Sequence, residues 1–336
     1  MMRQYYPWQA TQWRTLSERR LQDVLPHALL LHGPGGTGKA DFAICFAHSL
    51  LCQKNHADGQ PCGDCSSCRL YAANNHPDYH LIEPEKQGGQ IKIDQIRNLI
   101  ADMGLSSHSG GYKVVIIRPA EAMNTAAANS LLKTLEEPPA KTLIMLLAEQ
   151  LTHLPATVRS RCQLLRFNLP DKTMAQNWLV AKLTETGASA DDAAQLLAMT
   201  HGAPLSALAD AEKDQLVLRQ SLFEMLEGLA DGRLDPVKIA GEWLKIEQPI
   251  PIKYLHGWVS DMIRLRQVPD YLQERVEYQK VLHSLSGDLD VQKLYIYMDR
   301  IAESLPLLAQ LNPLPIIESL LIQWANIPKQ KAGMQR

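Results

Sequence analysis

The sequence predicts an α/β fold followed by an all-helical region. Three observations lead to this prediction: a phosphate-binding loop between an apolar run and a helical pattern, further apolar runs of strand length, and helix-period apolar stripes in the second half. The chain of 336 residues is long enough for two or three domains with separate cores. We therefore predict a doubly wound parallel sheet over residues 1–167 and helices over the remainder.

The first predicted strand, residues 27–32, leads directly into the glycine-rich loop Gly33–Ala40. The loop reads GPGGTGKA and matches the phosphate-binding pattern G-x-x-x-x-G-K-[ST] at every position but the last. The candidate nucleotide-binding residues are Gly33, Gly36, Gly38 and Lys39. The hydroxyl that would hold Mg²⁺ is replaced by the methyl group of Ala40, so we expect no magnesium site. The pattern is compatible with bound ATP or ADP and equally with an empty loop.

Further strands of the sheet are predicted at 79–82, 113–117, 142–147 and 163–167. An ATPase with a phosphate-binding loop carries an acidic residue at the end of one such strand. The best candidate, 113–117, ends in Arg118-Pro119, which cannot hold Mg²⁺. The alternative is that another strand has this role, or that the acid is displaced to Glu121.

Four cysteines occur at the spacing C-x9-C-x2-C-x2-C, and they are Cys52, Cys62, Cys65 and Cys68. Four thiolates suit structural zinc, and the intervening turn-forming residues favour a knuckle rather than a helix. An iron–sulfur cluster, a redox pair and unliganded thiols are the alternatives. We expect His56 and His76 at the surface, and Cys45 and Cys162 in the core.

The second half shows helical patterns without chemical motifs. Before that half begins, the last helix pattern of the first half is predicted to be capped by Asn124 and ended by Pro138-Pro139. After residue 168, two short helical patterns precede a long helical region, in which Asn312 caps the last helix. The tail 328–336 is predicted to be disordered.

Two further segments carry a specific resemblance. NSLLKTLEEPP at 129–139 and Ser-Arg-Cys at 160–162 are similar to motifs of the bacterial clamp-loader subunits of the AAA+ family, and so is the cysteine module. The gamma/tau ATPases of that family have a complete phosphate-binding loop and an acidic pair, whereas this chain has neither. The chain therefore resembles the non-hydrolysing delta-prime subunits of the DNA polymerase III holoenzyme, by motif over about residues 20–210.

The resemblance implies three domains: an AAA+ α/β domain at 1–167 with its zinc module at 52–68, a helical lid at 168–211, and a helical collar for oligomerisation at 212–330. It also implies that Arg161 is an arginine finger, acting in trans on the nucleotide of a neighbouring subunit. Leu205 stands where the lid of related proteins places a phosphate-contacting arginine.

The implied function is to help load the sliding clamp onto primed DNA during replication. The implied partners are the gamma/tau and delta subunits in a five-membered ring, the clamp, and primer-template DNA. We expect no ATPase or polymerase activity from the isolated chain, since nucleotidyltransferase activity would belong to the holoenzyme. One alternative is an autonomous ATPase that uses Glu121, and another is a zinc-dependent nucleic-acid module.

Composition excludes little. The formal net charge is −2, which indicates no global basic field for nucleic acid. The start of the chain lacks the apolar core of a signal peptide, and no apolar run is long enough for a membrane span. We therefore expect a cytoplasmic protein without membrane contact, with its cysteines in a reducing compartment.

Overall fold

The protein divides into two compact units, residues 1–209 and 210–336. The computed structural model describes residues 5–86, 88–104, 107, 111–183, 190–212, 215–267, 290–309 and 311–327. The tail 328–336, predicted to be disordered, lies outside the described residues. The predicted domain boundaries at 167/168 and 211/212 stay predictions.

A five-stranded parallel sheet forms the centre of the first unit. Its strands are β1 (Ala28–His32), β2 (Tyr79–Ile82), β3 (Lys113–Ile117), β4 (Thr142–Ala148) and β5 (Gln163–Arg166). Their order is β2-β3-β4-β1-β5, so β1 lies between β4 and β5. Because all strands are parallel, their carboxyl ends meet at one edge, where the loop after β1 also lies. The α/β fold class predicted from the apolar runs is confirmed.

The helices of the first unit are α1 (Ala10–Leu21), α2 (Lys39–Leu51), α3 (Ser66–Ala72), α4 (Ile93–Met103), α5 (Thr125–Glu136), α6 (Ala156–Arg159), α7 (Lys172–Leu183), α8 (Ala190–Met199) and α9 (Pro204–Glu212), the last of which runs into the second unit. Asn124 caps α5 as predicted, since its Oδ1 accepts the N–H of Ala127 at 2.8 Å. The two helical patterns after residue 168 are confirmed as α7 and α8.

Alternate residues of the central strands pack against opposite layers of helices. Leu30 and Ile144 face α4 and α5, whereas Leu29 and Leu143 face α1 and α2. Both faces of the sheet are therefore buried under helices. This explains why the sequences of β3 and β4 are continuous apolar runs and do not alternate between apolar and polar residues. Cys45 and Cys162 belong to these two cores, as predicted.

The second unit contains α10 (Gln215–Ala230), α11 (Pro236–Leu244), α12 (Ile250–Gln267), α13 (Val291–Ser304) and α14 (Pro313–Ala325). Trp243, Trp258 and Trp324 are almost fully buried in the apolar core that its described residues form. The Oδ1 of Asn312 accepts the N–H of Leu314 at 3.2 Å, so the predicted cap of the last helix is confirmed. None of the described helices is long and apolar enough to cross a bilayer.

Candidate functional site

The glycine-rich loop joins β1 to α2 and has the geometry that only glycine allows at its start. Gly33 has a φ of +145°, and a Cβ built there would lie 1.9 Å from the carbonyl oxygen of Phe167. Gly38, the residue before α2, has a φ of +83°, in the left-handed region. These glycines turn the chain so that the first turn of α2 faces the cleft at the carboxyl edge of the sheet.

Lys39 holds the loop together from inside. Its Nζ donates to the carbonyl oxygens of Gly33 at 2.6 Å and Pro34 at 2.7 Å, and only 8% of the residue is exposed. Burial lowers the pKa of Lys39, and the carboxylates of Glu149 and Glu121 act in the opposite direction. The lysine of the phosphate-binding pattern is thus an internal clamp of its own loop.

The cleft beside the loop has a volume of about 940 Å³ and is lined by residues of the loop, of the segments that follow β2 and β3, and of the end of β4. At the end of β3, Arg118 Nε donates to Glu83 Oε1 at 2.7 Å. This position, where an ATPase would carry an acidic residue, is therefore occupied by an arginine that forms an ion pair. Ala40 lines the same cleft and offers no metal ligand.

Two carboxylates nevertheless line this cleft. Glu121 Oε1 accepts the backbone N–H of Glu149 at 2.7 Å, and Glu149 Oε1 would be 2.8 Å from a Cβ at Gly35. Both acids share the cleft with Lys39 and act on its charge, and Glu149 is close to the loop itself. The alternative of a displaced acid thus has a structural counterpart, although Glu121 is committed to a backbone N–H.

The helix α9 and the N-terminal segment both contact the loop. The N–H of Leu205 donates to Gly36 O at 3.1 Å, and a Cβ at Gly36 would meet Ser206 Oγ at 2.2 Å. The carbonyl of Thr37 accepts from Trp8 Nε1 at 3.0 Å and from Gln9 Nε2 at 2.9 Å. The loop is thereby bonded to α9 and to the start of the chain by the protein's own donors.

The four cysteines of the predicted metal site lie together. Their sulfur atoms are all within 4.8 Å of one another, and the shorter separations are 3.6 Å for Cys52–Cys62, 3.9 Å for Cys62–Cys68 and 4.0 Å for Cys52–Cys65. Four sulfurs at about 2.3 Å from a tetrahedral zinc ion are about 3.8 Å apart. The sulfurs thus have the separations of a four-thiolate site and are too far apart for disulfides.

Local backbone structure presents these sulfurs. Cys52 follows α2 directly, Cys65 caps α3, and Cys68 lies in the first turn of α3. A knuckle of turns alone was expected, and that expectation is wrong for the last two cysteines. The reason is that Cys65 Sγ accepts the N–H of Cys68 at 3.4 Å and so begins a helix as a serine cap would.

The cysteines differ in acidity. Burial would raise the pKa of the Cys65 thiol, but hydrogen bonds from the backbone N–H groups of Gln53 and Cys68 outweigh it and lower that pKa to about 6. Burial, together with the hydrogen bond that its thiol donates to the Cys65 sulfur, raises the pKa of Cys68 strongly. A second thiolate beside the first is thus disfavoured without a cation, which is what a metal ion would supply.

His76 was expected at the surface and is instead buried, with 7% exposed. Its Nδ1 accepts the N–H of Asp78 at 3.2 Å, so Nε2 carries the proton and donates to Ser67 Oγ at 2.8 Å. Ser67 Oγ in turn donates to Leu51 O at 2.5 Å. The histidine thus ties α3 to the end of α2 and is not a member of the cysteine cluster.

The candidate arginine Arg161 follows α6 and is partly exposed, with 32% of its side chain accessible. Its Nε donates to Glu136 Oε1 at 2.6 Å, and its Nη2 donates to the same oxygen. Its Nη1 donates to Thr157 O at 2.9 Å and to Ser160 Oγ at 3.3 Å. Within the first unit, Arg161 is therefore bound to the end of α5.

Comparison with known proteins decides the family. A family model described as DNA polymerase III, delta subunit, matches residues 8–171. A DNA polymerase III subunit delta' of Pseudomonas aeruginosa is 34% identical over 331 residues, which are 97% of this chain and 99% of that protein. The chain belongs to the delta' family of DNA polymerase III subunits. The resemblance predicted from the motifs is thereby confirmed.

Other delta' relatives match over shorter stretches. The Yersinia pestis protein is 36% identical over 220 residues, 65% of this chain and 64% of that protein. The Bacillus subtilis protein is 44% identical over 149 residues, 44% of this chain and 43% of that protein. A solved gamma subunit-related protein of Thermotoga maritima aligns with 94% of this chain and 99% of its own at a TM-score of 0.45 and 18% identity. That likeness is too distant to add to the family assignment.

Sequence reasoning missed several residues of the sites of this delta' family member. Glu149 follows the carboxyl end of β4, and that position beside the loop-bearing strand was a usable signal. Glu136 was seen only as part of a helical motif, because nothing local indicates a partner 25 residues away. Trp8 and Gln9 gave no sequence signal for their bonds to the loop.

Proposed function

We propose that the protein is a non-hydrolysing member of a clamp-loader complex that helps place the sliding clamp on primed DNA. The observation that carries the proposal is the near-full-length relationship to a delta' subunit of DNA polymerase III. The proposed partners are gamma/tau and delta subunits, the clamp and primer-template DNA, in the cytoplasm. DNA polymerase activity belongs in this proposal to the holoenzyme.

The loss of magnesium-handling groups supports the absence of hydrolysis. Ala40 lacks the hydroxyl that would bind Mg²⁺, and Arg118 brings a positive charge to the end of β3. Leu205 contributes an aliphatic side chain where related lids place arginine. Three separate parts of a hydrolytic site are thus replaced, while Gly33, Gly38 and the clamp by Lys39 keep the loop folded.

We further propose that Arg161 acts in trans on the nucleotide of a neighbouring ATPase subunit. A planar guanidinium can bind two phosphate oxygens at once, and such an arginine is worth about 10³–10⁵ in rate in GTPases. The partial exposure of the side chain supports this role, since a fully buried arginine could not reach across a subunit boundary.

The four-cysteine cluster is proposed as a structural zinc site. The residues that would hold the ion are Cys52, Cys62, Cys65 and Cys68. Four sulfur ligands complete a tetrahedron and leave no position for water, so the ion would fasten the segment between α2 and α3 rather than take part in a reaction.

The test is ATP turnover by the purified chain, alone and in a reconstituted complex with gamma/tau and delta subunits. We expect no turnover by the chain alone, and a drop of at least tenfold in the DNA- and clamp-stimulated rate when Arg161→Ala replaces the wild-type chain in the complex. ATP turnover by the isolated chain would contradict the proposal that this chain does not hydrolyse ATP. An unchanged rate of the complex with Arg161→Ala would contradict the trans-acting role of Arg161.

An autonomous ATPase is the second candidate, because Glu121 and Glu149 line the same cleft as Lys39. If this candidate were correct, the isolated chain would hydrolyse ATP, and Glu121→Gln would abolish that activity. Titration with ATPγS in the presence and absence of Mg²⁺ separates binding from hydrolysis.

A further inference from the structure

The two motifs that indicated the family are joined by a single ion pair. Glu136 is the last residue of α5, and Arg161 is the middle residue of the Ser-Arg-Cys segment. The guanidinium donates to one carboxylate oxygen through Nε and Nη2, and to the α6 region through Nη1. All three nitrogens of the guanidinium therefore donate within the chain.

This arrangement restricts what Arg161 can bind. A guanidinium grips a phosphate through two parallel N–H···O bonds from neighbouring donors. Nε and Nη2 already donate to Glu136, so Arg161 cannot use this pair of neighbouring donors for a phosphate without giving up existing bonds. The bonds to Glu136 are the ones that a phosphate would replace most directly, because carboxylate and phosphate compete for the same fork of donors.

Helix stability does not explain Glu136. A carboxylate in the last turn of a helix is disfavoured by the partial negative charge at that end. The side chain of Glu136 is 49% exposed and that of Arg161 32%, and exposed ion pairs stabilise proteins little. The pair is thus better explained by the orientation of the guanidinium than by the stability of α5.

We propose that Glu136 is a positioning residue for Arg161: it holds the guanidinium in a retracted arrangement and yields it to a phosphate of a neighbouring subunit's nucleotide. The inference rests on the proposed function, in which Arg161 acts in trans. The Glu136 carboxylate couples the end of α5 to Arg161. A movement of that end of the helix therefore changes how readily Arg161 reaches phosphate.

The test uses the complete reconstituted clamp-loader complex containing Glu136→Gln. The amide keeps the size of the side chain and removes its charge, which eases the exchange for phosphate. From the strength of exposed ion pairs we expect the ATP turnover without DNA to rise about two- to fivefold. The KM for ATP should not change, because the neighbouring subunit holds the ATP, and stimulation by primed DNA should fall by the same factor.

Glu137→Gln is the matched control. It removes the same charge from the adjacent position, which is also exposed, and among the described residues no ion pair is found for Glu137. Turnover with this variant should equal that of wild type. Thermal unfolding of each purified variant checks that the fold is retained.

Arg161→Ala separates failure of the inference from failure of the proposed function. If Arg161→Ala does not slow the complex, the trans-acting arginine itself is wrong. If Arg161→Ala slows the complex but Glu136→Gln behaves like Glu137→Gln or reduces turnover, the positioning role is wrong while the arginine role stands. The double variant should match Arg161→Ala, because Glu136 acts through Arg161.

Discussion

Replacing Cys68 by serine should remove zinc and destabilise the first unit. Cys52 and Cys68 bound a segment of 17 residues that a zinc ion on the four sulfurs would hold closed between α2 and α3. Treated as a cross-link, closure of a loop of this length restricts the unfolded chain by about 3 kcal/mol. For a unit of this size, about 3 kcal/mol corresponds to a fall in Tm of about 6–12 °C.

The assay is metal analysis by mass spectrometry together with thermal unfolding of the full chain. Wild type should hold one zinc ion per chain, with four sulfur neighbours at about 2.3 Å in X-ray absorption. Cys68→Ser should lose the ion and unfold at lower temperature, and a chelator should lower the Tm of wild type similarly. Cys45→Ser is the control, because Cys45 is buried in α2 outside the cluster and its loss should leave the zinc content unchanged.

Two results would refute this reasoning. Wild type with less than about half an equivalent of zinc would contradict the four-thiolate site. Cys68→Ser with a full equivalent of zinc and an unchanged Tm would show that the fourth sulfur neither binds the ion nor closes the segment.

Three further substitutions test the fold. Gly33→Ala should lower the free energy of unfolding in urea by more than about 3 kcal/mol, because the new Cβ would lie 1.9 Å from Phe167 O at a φ of +145°. Gly241→Ala is the control and should be tolerated, since a Cβ there would have nothing within 4 Å. Equal losses of stability in the two variants would contradict the steric argument. Asn124→Ala should lower the free energy of unfolding by about 1 kcal/mol, because it removes the side-chain cap of α5. An unchanged midpoint of urea unfolding would contradict the capping role. Tyr297→Phe should lower the free energy of unfolding by about 1 kcal/mol, because the buried hydroxyl donates to the carbonyl oxygen of Leu320 at 2.9 Å. Ultraviolet titration of the wild-type protein should also place the pKa of Tyr297 well above the ordinary tyrosine value, because the side chain is buried. Ionisation of Tyr297 near pH 10 in the folded protein would refute that burial.

Much of the fold could be predicted from local patterns. β3 and β4 are buried on both faces, so their apolar runs were continuous and their positions were found within a residue or so. The caps Asn124 and Asn312 were found because a side-chain amide before a helix bonds to the N–H groups of its first turn. Prediction was weaker where a residue's environment comes from distant segments, as for His76, whose burial depends on α2 and α3 meeting.

The candidate sites divide in the same way. The cysteine spacing alone predicted a metal site, because ligands to one ion can be supplied within a short segment. The spacing did not predict that α3 would begin at Cys65, because the sulfur cap depends on how the turn closes. The loss of the magnesium hydroxyl at Ala40 was readable from one position of a known pattern.

The sequence by itself determined the phosphate-binding loop, its missing metal ligand, the four cysteines, the two family motifs and the alternation of strands and helices. Each of these is encoded in residues close together along the chain. The tertiary structure alone decided that Lys39 clamps its own loop, that Glu149 lies against that loop, and that Glu136 holds Arg161. These pairings depend on the order of the strands and on the meeting of α5 with α6, since parallel strands bring residues far apart in sequence to one edge of the sheet.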